Sequence, residues 1–110
     1  MKVKVVRPSR WEFPGEFPTF EKGTHVRLAG EEDTDFLSWY ACDIAGHETF
    51  VPITFVRDGK LARDYNPTEL TPKVGDILEV REIVNAWLLA TNEQGTTGWI
   101  PAEMVVSVSD

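Results

Sequence analysis

The sequence predicts an all-β protein: two small tandem β-barrels joined by a very short linker. Three observations lead there. Short stretches alternate polar and apolar residues, turn dipeptides separate them, and landmarks recur at offsets of 48 to 52 residues. No stretch sustains a 3.6-residue apolar period, so no long helix is expected.

The elements follow in order. Residues 2–6, 24–28 and 77–80 alternate polar and apolar side chains, as strands with one buried face do. Residues 36–42, 49–53, 87–91 and 98–100 are rich in aromatic and β-branched residues and read as further short strands. Ala29-Gly30, Ala45-Gly46-His47, Asp58-Gly59 and Asn92-Glu93-Gln94-Gly95 supply the turns between them.

The repeat decides the architecture. Glu21-Lys22-Gly23-Thr24-His25-Val26-Arg27-Leu28 lies 52 residues before Lys73-Val74-Gly75-Asp76-Ile77-Leu78-Glu79-Val80. Trp39-Tyr40-Ala41-Cys42 precedes Trp87-Leu88-Leu89-Ala90 by 48 residues. Phe50-Val51-Pro52 precedes Trp99-Ile100-Pro101 by 49, and Phe55-Val56 precedes Met104-Val105 by the same 49. Four landmarks in one order predict two copies of one barrel, residues 1–57 and 58–110. Asp58-Gly59 favours a two-residue type I′ hairpin, so the last strand of the first copy runs almost directly into the first strand of the second.

Composition narrows the function. An apolar fraction of 42% in 110 residues is enough to build a packed core. The formal charge is −7, with 7 basic and 10 acidic side chains in residues 1–58 and 4 and 8 in residues 59–110. Such a surface repels phosphate backbones and anionic membranes, and points to a basic peptide or protein surface as partner. No apolar run approaches the roughly 20 residues of a membrane span. Cys42 is the only cysteine, so no internal disulfide is expected, and a cytoplasmic setting follows. Two histidines and one cysteine are too few and too scattered for a metal site. No nucleophile–base pair or phosphate loop is present, so neither enzymatic activity nor a cofactor is expected.

The second half resembles the Src-homology-3 (SH3) family. Leu61-Ala62-Arg63-Asp64-Tyr65 stands where that family has Ala-Leu-Tyr-Asp-Tyr. Glu69-Leu70-Thr71-Pro72-Lys73-Val74-Gly75-Asp76-Ile77-Leu78-Glu79-Val80 is similar to Glu-Leu-Ser-Phe-x-x-Gly-Asp-x-Leu-x-Val. Trp87-Leu88-Leu89-Ala90 and Gly98-Trp99-Ile100-Pro101-Ala102-Glu103-Met104-Val105 are similar to its Trp-Trp-x-Ala and Gly-x-Ile-Pro-Ser-Asn-Tyr-Val segments. The first half carries the same landmarks in weaker lettering.

The resemblance implies a shallow aromatic groove for an extended, proline-rich or basic peptide. In the second copy it implies ligand-binding roles for Tyr65, Trp87, Pro101, Met104 and Glu69. Arg63 and Met104 depart from the family's tyrosines, and the RT loop between Tyr65 and Glu69 is short. In the first copy it implies Phe13, Trp39, Pro52 and Phe55, with Asp35 of the acidic run Glu31-Glu32-Asp33-Thr34-Asp35 beside them. That position predicts exposed rings for Trp39 and Trp87; the alternative is core packing. Cys42 aligns with Ala90 and reads as a small buried core residue. The expected function is a monomeric, non-enzymatic adaptor module that binds a protein or peptide. The alternatives are an accessory structural barrel pair with occluded grooves, or an aromatic-cage reader of cationic side chains built on Trp39, Tyr40 and Asp35.

Overall fold

Ten short strands carry the chain in a computed structural model that describes residues 1–8, 16–32 and 38–108. They are β1 (Lys2–Val5), β2 (Val26–Glu32), β3 (Trp39–Ile44), β4 (His47–Pro52), β5 (Val56–Arg57), β6 (Lys60–Leu61), β7 (Ile77–Val84), β8 (Trp87–Thr91), β9 (Thr97–Pro101) and β10 (Val105–Ser107). Two 3₁₀ turns, Ile53–Phe55 and Ala102–Met104, lead into β5 and β10. Among the described residues there is no α-helix, and none long and apolar enough to cross a membrane. The all-β expectation holds.

The chain divides into two units whose boundaries are not those of the sequence repeat. One unit is continuous, Phe17–Pro67; the other is split, combining Met1–Glu16 with Thr68–Asp110. The expected halves, 1–57 and 58–110, therefore need correcting at both ends. The reason is strand pairing. β1 lies antiparallel between β10 and β7, with Val3 opposite both Ser107 and Leu78. The N-terminal strand thus completes a sheet whose other members come from the last third of the chain.

In the split unit the strand order is β10-β1-β7-β8-β9, an open sequence with β10 and β9 at its ends. Val3, Val5, Leu70, Leu78, Leu88, Ala90, Ile100 and Met104 form its core. The alternation of Lys2-Val3-Lys4-Val5 puts both valines inward and both lysines outward. Gly98 lets the chain pack tightly. A Cβ there would lie 2.9 Å from the Thr68 carbonyl oxygen and 3.0 Å from the Leu70 nitrogen. The adjoining Trp99 exchanges backbone hydrogen bonds with both residues, donating to the Thr68 carbonyl and accepting from the Leu70 N–H.

The continuous unit holds the sheet β2-β3-β4 and the hairpin β5-β6. An antiparallel bridge between His25 and Lys60 joins the two. Asp58 and Gly59 have φ of 52° and 74°, the pair of positive values that a type I′ turn requires, and Arg57 faces Lys60 across it. The hairpin forms where the sequence puts it. It is an internal corner of this unit, however, rather than a linker between two.

Gly98→Ala has no room for its methyl group against the backbone of Thr68–Leu70. It is expected to destabilise the fold by about 1–3 kcal/mol, read as a lowered midpoint in chemical denaturation.

Candidate functional site

The residues assigned to a ligand groove fall into two sets, grouped differently from the sequence reading. In the continuous unit, Tyr65 meets Phe55. The two rings stand edge to face with centroids 5.5 Å apart and an interplanar angle of 85°, a favourable quadrupole arrangement. The Arg63 guanidinium carbon lies 4.3 Å from the centre of the Phe55 ring, a cation–π distance. Tyr65 is fixed by an antiparallel bridge to Phe20, and its hydroxyl donates a 2.7 Å hydrogen bond to the Phe50 carbonyl. Trp39 sits opposite Pro52 on the paired strands β3 and β4.

In the split unit, Trp87 faces Pro101 across β8 and β9. Met104 lies in the 3₁₀ turn that follows, and its carbonyl accepts from the N–H groups of Val6 and Arg7. Glu69 forms a parallel bridge with Trp99, and burial pushes its carboxyl group above the ordinary range. Tyr65 therefore does not share a unit with Trp87, Pro101, Met104 and Glu69. Phe13, Asp35 and Trp11 lie outside the described residues.

Burial corrects a second expectation. Trp39 is 5% exposed and Trp87 8%, so neither ring stands free to solvent. Tyr65, Phe55 and Met104 are buried as well, and Met104 belongs to the hydrophobic core of its unit. Three residues apart on one strand, Trp39 and Cys42, like Trp87 and Ala90, point to opposite faces. Both faces are covered: the core of the split unit takes Leu88 and Ala90, while Trp87 is buried apart from that cluster. What remains exposed near these positions is Phe50, at 47%, together with Ile53 and Arg63. Sequence reasoning passed over Phe50 as a site residue, because its place beside Val51-Pro52 suits a covering role equally well.

Cys42 is buried, as its alignment with Ala90 predicts. Burial and, to a lesser degree, the negative charge of Asp43 push its thiol up to about 11. A thiol held protonated in this way is a poor nucleophile. Among the described residues no group of three or more His, Cys, Asp or Glu side chains is placed to hold a metal ion.

The family model of the variant SH3 domain matches residues 59–108, and a variant SH3 domain is found there. The strand order β10-β1-β7-β8-β9 and the Trp87–Pro101 pairing belong largely to that segment. Such domains are protein–protein interaction modules and generally non-catalytic. The match also crosses the unit boundary: residues 59–67 lie in the continuous unit and 68–108 in the split one. No curated protein and no solved structure matches the chain.

Two outcomes follow from the burial. Trp87→Ala is expected to cost about 3–5 kcal/mol of stability, seen in urea denaturation; a loss near zero would mean the ring is not packed. Cys42 keeps its proton when folded at pH values where the unfolded thiol, titrating near 9, has lost it. Stability contributed by the neutral thiol is therefore full below pH 9 and declines as pH rises towards about 11. Cys42→Ala should lack that component when denaturation midpoints at pH 7 and pH 10 are compared.

Proposed function

We propose that the chain is a non-enzymatic protein-interaction module built from two SH3-like units whose aromatic grooves are covered. It acts as an accessory structural pair rather than as an adaptor for free proline-rich peptides. One observation carries this reading: Trp39, Tyr65, Trp87, Phe55 and Met104, the positions of the family's groove, are all buried. A ligand that stacks on aromatic ridges needs those ridges in contact with water before it arrives. The aromatic-cage reading loses the Trp39 ring on the same ground. An acidic surface and a single buried cysteine support a monomer in the cytoplasm with a protein partner, and weigh against nucleic acid.

A second reading has a specific observation in its favour. Phe55, Tyr65 and Arg63 make one connected cluster, and Phe50 and Ile53 are partly exposed in the same unit. An extended, proline-rich or basic peptide docking there would make the module an adaptor.

Titrating an array of proline-rich and basic peptides against protein with labelled backbone amides and indole groups separates the two. No saturable shift at the Trp39 or Trp87 indole, nor at the amides of Phe50, Ile53, Phe55, Arg63 and Tyr65, is the expected result. A saturable shift at any of these, with folding intact, would sink the covered-groove reading and establish the adaptor.

A further inference from the structure

The two units repeat one hydrogen-bond pattern around strands that come from opposite directions in the sequence. In the split unit, Val5 N–H donates to the Asp76 carbonyl and the Val5 carbonyl accepts from Gly75 N–H, at 2.9 and 2.8 Å. In the continuous unit, Leu61 N–H donates to the Thr24 carbonyl and the Leu61 carbonyl accepts from Gly23 N–H, both at 2.8 Å. Val6 N–H donates to the Met104 carbonyl, as Ala62 N–H does to that of Phe55. Ala102 N–H donates to the Ala86 carbonyl, as Ile53 N–H does to that of Ser38. Even the side chains agree: Lys4-Val5-Val6-Arg7 and Lys60-Leu61-Ala62-Arg63 both read Lys, apolar, apolar, Arg.

These equivalences make β6 the counterpart of β1 and β5 the counterpart of β10. Through the His25–Lys60 bridge the continuous unit reads β5-β6-β2-β3-β4, the same order as β10-β1-β7-β8-β9. The difference is connectivity. In the split unit the interior strand β1 comes first in the chain. In the continuous unit its counterpart β6 comes last, joined to β5 by the Asp58–Gly59 turn.

We infer that residues 17–67 are a circularly permuted copy of the five-strand unit, inserted whole after the first strand of the unit formed by residues 1–16 and 68–110, with the Asp58–Gly59 turn holding this crossed arrangement. A linear alternative exists in principle. There, residues 60–65, which lie inside the family match over 59–108, would serve β7 and β10, and β1 would serve β2 and β5. The two-residue turn opposes it. With φ positive at both Asp58 and Gly59, the chain reverses at once and lays β6 against β5. Insertion also requires the ends of the inserted unit to lie close together. The Asn66 amide donates to the Thr19 hydroxyl at 3.1 Å, and Phe20 is bridged to Tyr65, so they do. The matched segment 59–108 is then not a folding unit, because an interior strand of its sheet is supplied by residues 2–5.

Paired cysteines in the full chain test this. Register partners on antiparallel strands lie close enough for a disulfide, and Lys4 faces Val106 as Lys60 faces Arg57. In a Cys42→Ala background, Lys4→Cys with Val106→Cys should close within one chain under mild oxidation, while Lys60→Cys with Val106→Cys should not. Intact mass and non-reducing electrophoresis read both. Arg57→Cys with Lys60→Cys is the competence control and should close. An intramolecular bridge between residues 60 and 106 would establish the linear arrangement and overturn the inference. A bridge between residues 4 and 106 that forms only between two chains would mean that β1 comes from a second copy, and would overturn it too. So would failure of the 4–106 pair while the 57–60 control closes.

Discussion

Antiparallel pairing of the first few residues with two strands far downstream is the constraint on which the split unit depends. Without β1, the facing edges of β7 and β10 would each lose a row of backbone partners, and Val3 and Val5 would leave the centre of the core. Buried N–H and C=O groups must be paired, so this is not a contact that side-chain packing could replace. A strand in the middle of a sheet contributes hydrogen bonds on both edges and side chains on one face. Losing it costs more than losing β9 or β10, each of which lies at an end of the strand order.

The same constraint shapes where function can reside. The groove that the proposed function takes from the SH3 resemblance would draw on aromatic side chains from the first-strand connection, the strand that opens with Trp, and the 3₁₀ turn. In the continuous unit all three are present as Tyr65, Trp39 and Phe55, with Arg63 resting on the Phe55 ring. In the split unit the 3₁₀ position is Met104, which packs into the core, and among the described residues Val5, Val6 and Arg7 stand where the continuous unit has Leu61, Ala62 and Arg63. The three aromatic positions therefore come together in residues 17–67, although the family match covers residues 59–108. Tyr65 belongs to the match by sequence and to the continuous unit by its hydrogen bonds.

How much of this was legible in the sequence depends on the range of the interaction. Strands and turns were, because alternation and the Asp58-Gly59 pair are local signals. The landmarks from Gly23 and Gly75 onward are a sequence signal too, since they recur at nearly constant spacing. The exchange of first strands was not. β-propensity states that residues 2–5 and 60–61 are strands without stating which edge each will meet. One faint signal existed. The two Lys-apolar-apolar-Arg segments stand 56 residues apart, against 52 for the glycine landmarks. Aligning Tyr65 with Phe13 at the 52-residue offset hid that four-residue slip. Burial of Trp39 and Trp87 was equally hidden, because a tryptophan at the start of a strand reads the same whether its face is covered or open.

The crossed connectivity is also the arrangement that chain entropy tolerates. In a linear fold, Leu61 and Gly75 would close a short loop, whereas Val5 and Gly75 are separated by most of the chain. Loop closure grows only with the logarithm of length, so the added cost is on the order of 1–2 kcal/mol. Prior folding of residues 17–67 reduces even that, because its ends are already tied by the Phe20–Tyr65 bridge and the Thr19–Asn66 hydrogen bond. Against this small penalty stands a two-residue turn that places β6 on β5 immediately, on the fast timescale of hairpin formation. Paired in this way, Lys60 and Leu61 are no longer open to β7 and β10. The strand left to complete the split unit is the one at the N-terminus.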